Sequence, residues 1–94
     1  MKYDVAVIGG GVVGALISRE LSKYDVKAAV LERCNDIAMG TTKANSAIVH
    51  GGFDAVSGTV KAKLNVEGTA IMPKLCKELH VPYRNNGSLV VAFS

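Results

Sequence analysis

Residues 3–8, "YDVAVI", make a short β-branched run that ends in three consecutive glycines, Gly9, Gly10 and Gly11. An apolar run bounded this way suits a strand buried on both faces, as a parallel sheet requires. From Val12 to Tyr24 the period changes: Val13, Leu16, Ile17, Leu21 and Tyr24 fall on one helical stripe. "YDVKA" then turns the chain, and "KAAVLE", residues 27–32, reads as a second buried strand. Strand, helix and strand joined by short connections predict one βαβ unit with a right-handed crossover.

Periodicity lapses from Arg33 to about Ser57, where Gly, Ser, Thr and Asn dominate and only "AIVH" suggests a brief strand. A connection this long is commonly functional or disordered. Helical spacing returns over 59–80, with Val60, Leu64, Ile71, Leu75 and Leu79 on one face and Ser57 as the expected N-cap. Gly68 weakens the middle of that helix, and Pro73 is expected to kink or divide it. The remainder, "VPYRNNGSLVVAFS", predicts a turn or bulge at Asn85-Asn86-Gly87 followed by a strand over "SLVVAF". That strand meets no later partner, so the chain is expected to be the front end of a longer protein.

The composition narrows the class. A chain of 94 residues that is 49% hydrophobic and 20% charged is globular and allows one small domain with a thin core. The net charge of +3 is spread out, with Lys61, Lys63, Lys74 and Lys77 the densest group. These lysines lie on a predicted helix with no interleaved aromatics, which argues for a solvated face and against nucleic acid. Cys34 and Cys76 have no metal-type or CxxC spacing and read as thiols of a reducing compartment, packing rather than reacting. No metal site is expected. The first apolar run is too short and too glycine-broken for a signal peptide. The expected location is the cytoplasm, with peripheral contact at a membrane's inner face left open.

The candidate chemistry begins at the glycines. Gly9, Gly11 and Gly14 fit G-x-G-x-x-G, a pattern that means little unless a strand leads in, a helix leads out and an acid ends the next strand. All three conditions are met here, with Glu32 as the acid. Gly9 then allows the tight turn, Gly11 lets a pyrophosphate approach the backbone, and Gly14 lets helix and strands pack closely. The helix N-terminus offers free N–H groups to the phosphates. Glu32 would accept from the ribose hydroxyls and repel a 2′-phosphate. The fingerprint alone does not separate NAD from FAD. The polar loop after Glu32, carrying Thr41, Thr42, Lys43, Asn45 and Ser46 before His50-Gly51-Gly52, replaces the next helix and strand of an NAD dehydrogenase.

With "DVAVIGGGVVGALISREL", "VLER" and "GTTKANSAIVHGGFD", the chain resembles the FAD-dependent oxidoreductases of the D-amino-acid-oxidase type. The likeness is closer to the flavin-dependent glycerol-3-phosphate and L-2-hydroxyglutarate dehydrogenases, whose "pGSLKARL"-like helix start reads "VSGTVKAKL" here. The resemblance implies an α/β fold: a Rossmann-like βαβ FAD-binding unit with a long cofactor loop, a Pro-interrupted helix and the first strands of a second domain. Residues 1–80 would belong to the FAD-binding domain and 81–94 would open the substrate domain. It implies Gly9, Gly11 and Gly14 at the pyrophosphate and Glu32 and Arg33 at the adenosine end. Thr41, Thr42, Asn45 and Ser46 would lie along the pyrophosphate and ribityl chain, and His50, Gly51 and Gly52 beside the isoalloxazine ring. After the two glycines the glycerol-phosphate enzymes carry an Arg-Tyr step, where this chain has Phe53-Asp54, closer to the hydroxyglutarate pattern.

The implied reaction is hydride transfer from a hydroxyl-bearing carbon to flavin, with glycerol 3-phosphate or a small 2-hydroxy acid as substrate and a separate electron acceptor. Amine or amino-acid oxidation and a noncatalytic nucleotide-binding module are the rival readings. His50 is the one histidine near the expected flavin; we read it as a brace for its loop ahead of a catalytic group. His80 is assigned no chemistry. Taken alone, the chain is expected to self-associate through uncovered apolar surfaces and to hold FAD poorly.

Overall fold

A computed structural model describes every residue from Met1 to Ser94. The chain divides into two compact units, Met1–Ala47 and Ile48–Ser94.

The first unit is the expected βαβ. Strand β1 spans Val5–Ile8, helix α1 spans Val12–Leu21 and strand β2 spans Ala28–Leu31. The strands pair in parallel, Val5 opposite Ala28 through Ile8 opposite Leu31. Backbone bonds carry the pairing beyond both ends: Asp4 N–H to Lys27 C=O at 2.8 Å and Gly9 N–H to Leu31 C=O at 2.8 Å. Asp4 also accepts the Lys27 N–H at 2.8 Å, and the Lys27 ammonium lies 5.4 Å from the centre of the Tyr3 ring. A short 3-10 helix, Thr41–Lys43, is the one regular element of the long loop, and "AIVH" forms no strand.

The strands are not buried on both faces. Val7 alone is buried, while Ile8 is 86% and Leu31 56% exposed. Two strands and one helix leave most of the sheet uncovered, and parallel sheets depend on such cover. On α1 the expected stripe is only half covered: Leu16 and Leu21 are half-buried, Val13 and Ile17 exposed. The chain leaves 8290 Å² accessible, against roughly 5,200 Å² for a folded protein of its mass. Cys34 is exposed, so it does not pack as expected, whereas Cys76 is buried.

In the second unit, helix α2 runs Val60–Glu78 as one element with Pro73 inside it, not as two. Its N-cap is Thr59, not Ser57: the Thr59 hydroxyl accepts the Ala62 N–H at 3.2 Å and donates to Val56 C=O at 2.6 Å. Gly58, at φ +83°, supplies the left-handed residue that the turn into α2 needs. The expected apolar face is mostly open, with Val60, Leu64 and Ile71 exposed. Lys63 and Lys74 pair loosely with Glu67 and Glu78 one turn on, at 4.0 and 3.9 Å.

Residues 81–94 form no strand and are exposed throughout, Leu89 at 95% and Phe93 at 93%. The β-branched run is strand-like, but a strand exists only with a partner to take its backbone bonds. Gly68 offers a separate check on α2. A Cβ there meets nothing within 4 Å, so Gly68→Ala is expected to stabilise the protein by about 0.5–1 kcal/mol. A urea midpoint at or below the parent's would contradict this.

Candidate functional site

The glycine turn sits where β1 hands over to α1. Gly9 has φ +106°, a left-handed conformation that glycine adopts without strain. Gly14 meets the tightest restraint, since a Cβ there would come 2.0 Å from the Gly9 carbonyl oxygen. Helix and turn therefore approach as closely as two backbones can. Gly11 is the N-cap of α1 in ordinary extended conformation, with no side chain to cap the helix.

Two side chains from later in the chain close on this turn. Thr42 accepts the Val12 N–H through Oγ1 at 2.9 Å, capping α1 from thirty residues away. That oxygen would lie 3.0 Å from a Cβ on Gly11. Glu32, at the end of β2, accepts the Gly10 N–H through Oε2 at 2.7 Å and the Cys34 N–H through Oε1 at 3.0 Å. Gly10 is itself buried, and its carbonyl accepts the Ala38 N–H at 3.0 Å.

The Cys34 amide first, and the Gly10 amide next, hold the Glu32 carboxyl below its ordinary value of 4.5, against a smaller opposing effect of desolvation. Each carboxylate oxygen accepts one backbone N–H and keeps lone-pair capacity for a hydroxyl donor. A carboxylate whose folded pKa is depressed contributes stability that is complete above its unfolded pKa and is lost as pH falls through the folded one. The parent should therefore lose urea resistance below about pH 4.5, and Glu32→Gln should be less stable at neutral pH with a flatter acid limb. Parallel acid limbs for the two proteins would refute the latch.

The first unit thus gathers Gly9, Gly11, Gly14, Glu32 and Thr42 around one turn. Asn45 is used by its own loop: its amide donates to the carbonyls of Thr41 and Thr42 at 3.1 and 2.7 Å, and its oxygen accepts the Ala47 N–H at 2.9 Å. Arg33 and Ser46 are exposed; the Arg33 backbone amide adds to the hold on the Glu32 carboxylate, and Ser46 makes no hydrogen bond or ion pair. Lys43 reaches the Met39 sulfur at 3.9 Å. Sequence reasoning missed Gly10, the x of the fingerprint. The signal in the sequence was the run of three consecutive glycines; in the structure a Cβ on Gly10 would press on Glu32 Oε2 at 3.1 Å and Ile37 Cγ2 at 3.2 Å.

His50, Gly51 and Gly52 belong to the second unit. The His50 carbonyl accepts the Thr69 hydroxyl at 2.5 Å and the Asn65 amide at 3.2 Å, both from α2. Its ring Nδ1 lies 3.2 Å from Asp54 Oδ2. Gly52, at φ +104°, has no room for a side chain, because a Cβ would come 2.7 Å from Val66 Cγ2.

A family model described as "DAO: FAD dependent oxidoreductase" matches residues 4–94. The glycerol 3-phosphate dehydrogenase of Caloramator mitchellensis is 55% identical over 97% of this chain and 19% of its own length. The mitochondrial L-2-hydroxyglutarate dehydrogenase of Dictyostelium discoideum is 40% identical over 96% of this chain and 21% of its own length. The glycerol 3-phosphate oxidase of Mycoplasma genitalium is 37% identical over 97% and 24% respectively. The chain spans about a fifth of the length of these relatives. With the strand-turn-helix, its close-packed Gly14 and the acid that ends β2, this match makes the chain a member of the DAO family of FAD-dependent oxidoreductases.

Proposed function

We propose that this chain is the N-terminal, FAD-binding part of a dehydrogenase that oxidises the hydroxyl-bearing carbon of glycerol 3-phosphate. The observation that carries the substrate is the 55% identity to the Caloramator glycerol 3-phosphate dehydrogenase. When bound, the flavin supplies a ring that accepts a hydride. The chain's residues fit that group. The turn at Gly11 is open at the helix N-terminus, where the Gly11 amide is unpaired in this chain, and phosphates favour such a position.

In this reading Gly9, Gly11 and Gly14 form the backbone cradle of the pyrophosphate. Glu32, held ionised by the Cys34 and Gly10 amides, accepts from the ribose hydroxyls, with Arg33 at the adenosine end. Thr41, Thr42, Asn45 and Ser46 follow the pyrophosphate and ribityl chain, and His50, Gly51 and Gly52 run beside the ring. The protein is proposed to work in the cytoplasm, at most peripheral to a membrane, and to pass its electrons to a separate acceptor. A dehydrogenase of L-2-hydroxyglutarate is the second reading, favoured by the Phe53-Asp54 step and by 40% identity to the Dictyostelium enzyme.

Anaerobic titration of the full-length protein decides between them. Glycerol 3-phosphate is expected to bleach the visible flavin band. Bleaching by L-2-hydroxyglutarate alone would select the second reading, and bleaching by an amino acid would move the protein among the amine oxidases. Absence of bound flavin would leave a noncatalytic module. The 94 residues alone are expected to sediment as oligomers and to bind little flavin, given the exposed apolar side chains of β1, β2 and residues 89–93. A yellow monomer in the ultracentrifuge would overturn that expectation.

A further inference from the structure

We propose that Asp54 is a positioning residue that holds His50 as its Nδ1–H tautomer, so that an unprotonated Nε2 is presented to the substrate hydroxyl. The proposal rests on the reading that His50 runs beside the flavin ring. Its geometry lies wholly within the second unit.

Three restraints converge on His50. Its carbonyl takes two bonds from α2, the Thr69 hydroxyl and the Asn65 amide, so the backbone that carries the ring is anchored to a helix. The loop then bends sharply at Gly52, against Val66. Although this segment is not helical, residues 50 and 54 meet, with Nδ1 3.2 Å from Asp54 Oδ2. An ionised carboxylate only accepts, so the ring nitrogen that faces it must carry the proton. A neutral imidazole has one N–H, which leaves Nε2 bare. No other group in the chain bonds Nε2.

His50 and Asp54 border an open cavity of about 520 Å³ together with Lys61, Leu64 and Asn65. Lys61 is the one further ionisable group on it and makes no ion pair. Both members of the pair are about 60% exposed, so as a plain surface ion pair they would add little to stability. Selecting a tautomer does not need burial. It needs the fixed backbone and the fixed acceptor that this loop provides. In the oxidation proposed above, Nε2 would take the hydroxyl proton, and a bound flavin would supply the acceptor for the carbinol hydride. The alcohol would leave as a carbonyl, and Asp54 would then face the protonated ring.

The test uses full-length, flavin-loaded protein carrying ring-15N histidine. The signal that disappears in His50→Gln belongs to His50. At alkaline pH the parent is expected to show the Nδ1–H pattern. Asp54→Asn, close in shape to the parent, should shift the ring toward Nε2–H and lower kcat by on the order of tenfold or more with KM little changed. Asp54→Glu should recover part of both. An Nε2–H ring in the parent overturns the proposal whether or not any variant folds. So does an Asp54→Asn protein with the parent's tautomer and kcat. An Nδ1–H ring in a protein whose flavin no candidate substrate bleaches would uphold the pairing and sink the functional reading on which its role rests.

Discussion

Replacing Gly14 by alanine, a single methyl group, is expected to unfold the first unit and to remove the flavin with it. The added Cβ would stand 2.0 Å from the Gly9 carbonyl oxygen, 3.1 Å from the Gly9 carbonyl carbon and 3.4 Å from Val7 Cγ1. The first two are backbone atoms, so no side-chain rotation relieves the overlap. Helix α1 must move away from the turn, or the turn away from β2, and Gly9 N–H is bonded to Leu31 C=O at 2.8 Å. Either movement strips cover from Val7, the one buried apolar side chain of the unit. Overpacking costs about 1–3 kcal/mol where side chains can adjust, and here they cannot. A loss of about 3 kcal/mol or more is expected, a large share of the stability of a small domain. Thermal melting of the full-length protein, followed by circular dichroism, measures it. A variant that melts within a few degrees of the parent and stays yellow would mean that α1 does not lie where the structure has it.

This close approach was legible in the sequence because it is local. The fingerprint fixes Gly14 five residues after Gly9, and strand-turn-helix geometry then forces the two backbones together. The βαβ unit was legible for the same reason: β1 and β2 follow from short apolar runs bounded by turn residues, and α1 from its helical period. Glu32 was found by its distance from the glycines, but its bonds to Gly10 and Cys34 were not, since they depend on how the loop after β2 folds back. Thr42 was expected along the phosphates; that it caps α1 at Val12 is a contact across thirty residues that no pattern encodes. The errors about strands share one physical source. Residues 89–93 and the two short strands carry the composition of buried strands, but composition reports the cover a segment calls for, not the cover within its own chain. Ser57 lost the cap to Thr59 because the left-handed Gly58 sets the entry to α2 one residue before Thr59.

Gly11→Val is expected to fail in the opposite way from Gly14→Ala: the fold survives and the flavin is lost. Gly11 has φ −78° and ψ −176°, extended backbone that any residue adopts, so valine brings no conformational strain. The one atom near its Cβ is Thr42 Oγ1 at 3.0 Å, the tip of a loop side chain that can give way. The structural penalty is then the Val12 N–H losing its cap, about 1 kcal/mol by analogy with other helix caps. The functional penalty is far larger. An isopropyl group would stand over the unpaired Gly11 amide and the start of α1, where the proposed pyrophosphate position needs bare backbone. Valine adds two more carbons than alanine, yet it is expected to be the milder change for the fold; what separates the two is whether the new carbon meets backbone or open approach. Both are read by the same pair of measurements, the melting curve and the ratio of flavin to protein absorbance after purification. Gly11→Val should melt within several degrees of the flavin-free parent and be colourless. A yellow Gly11→Val protein with the parent's flavin content would remove the pyrophosphate from this turn.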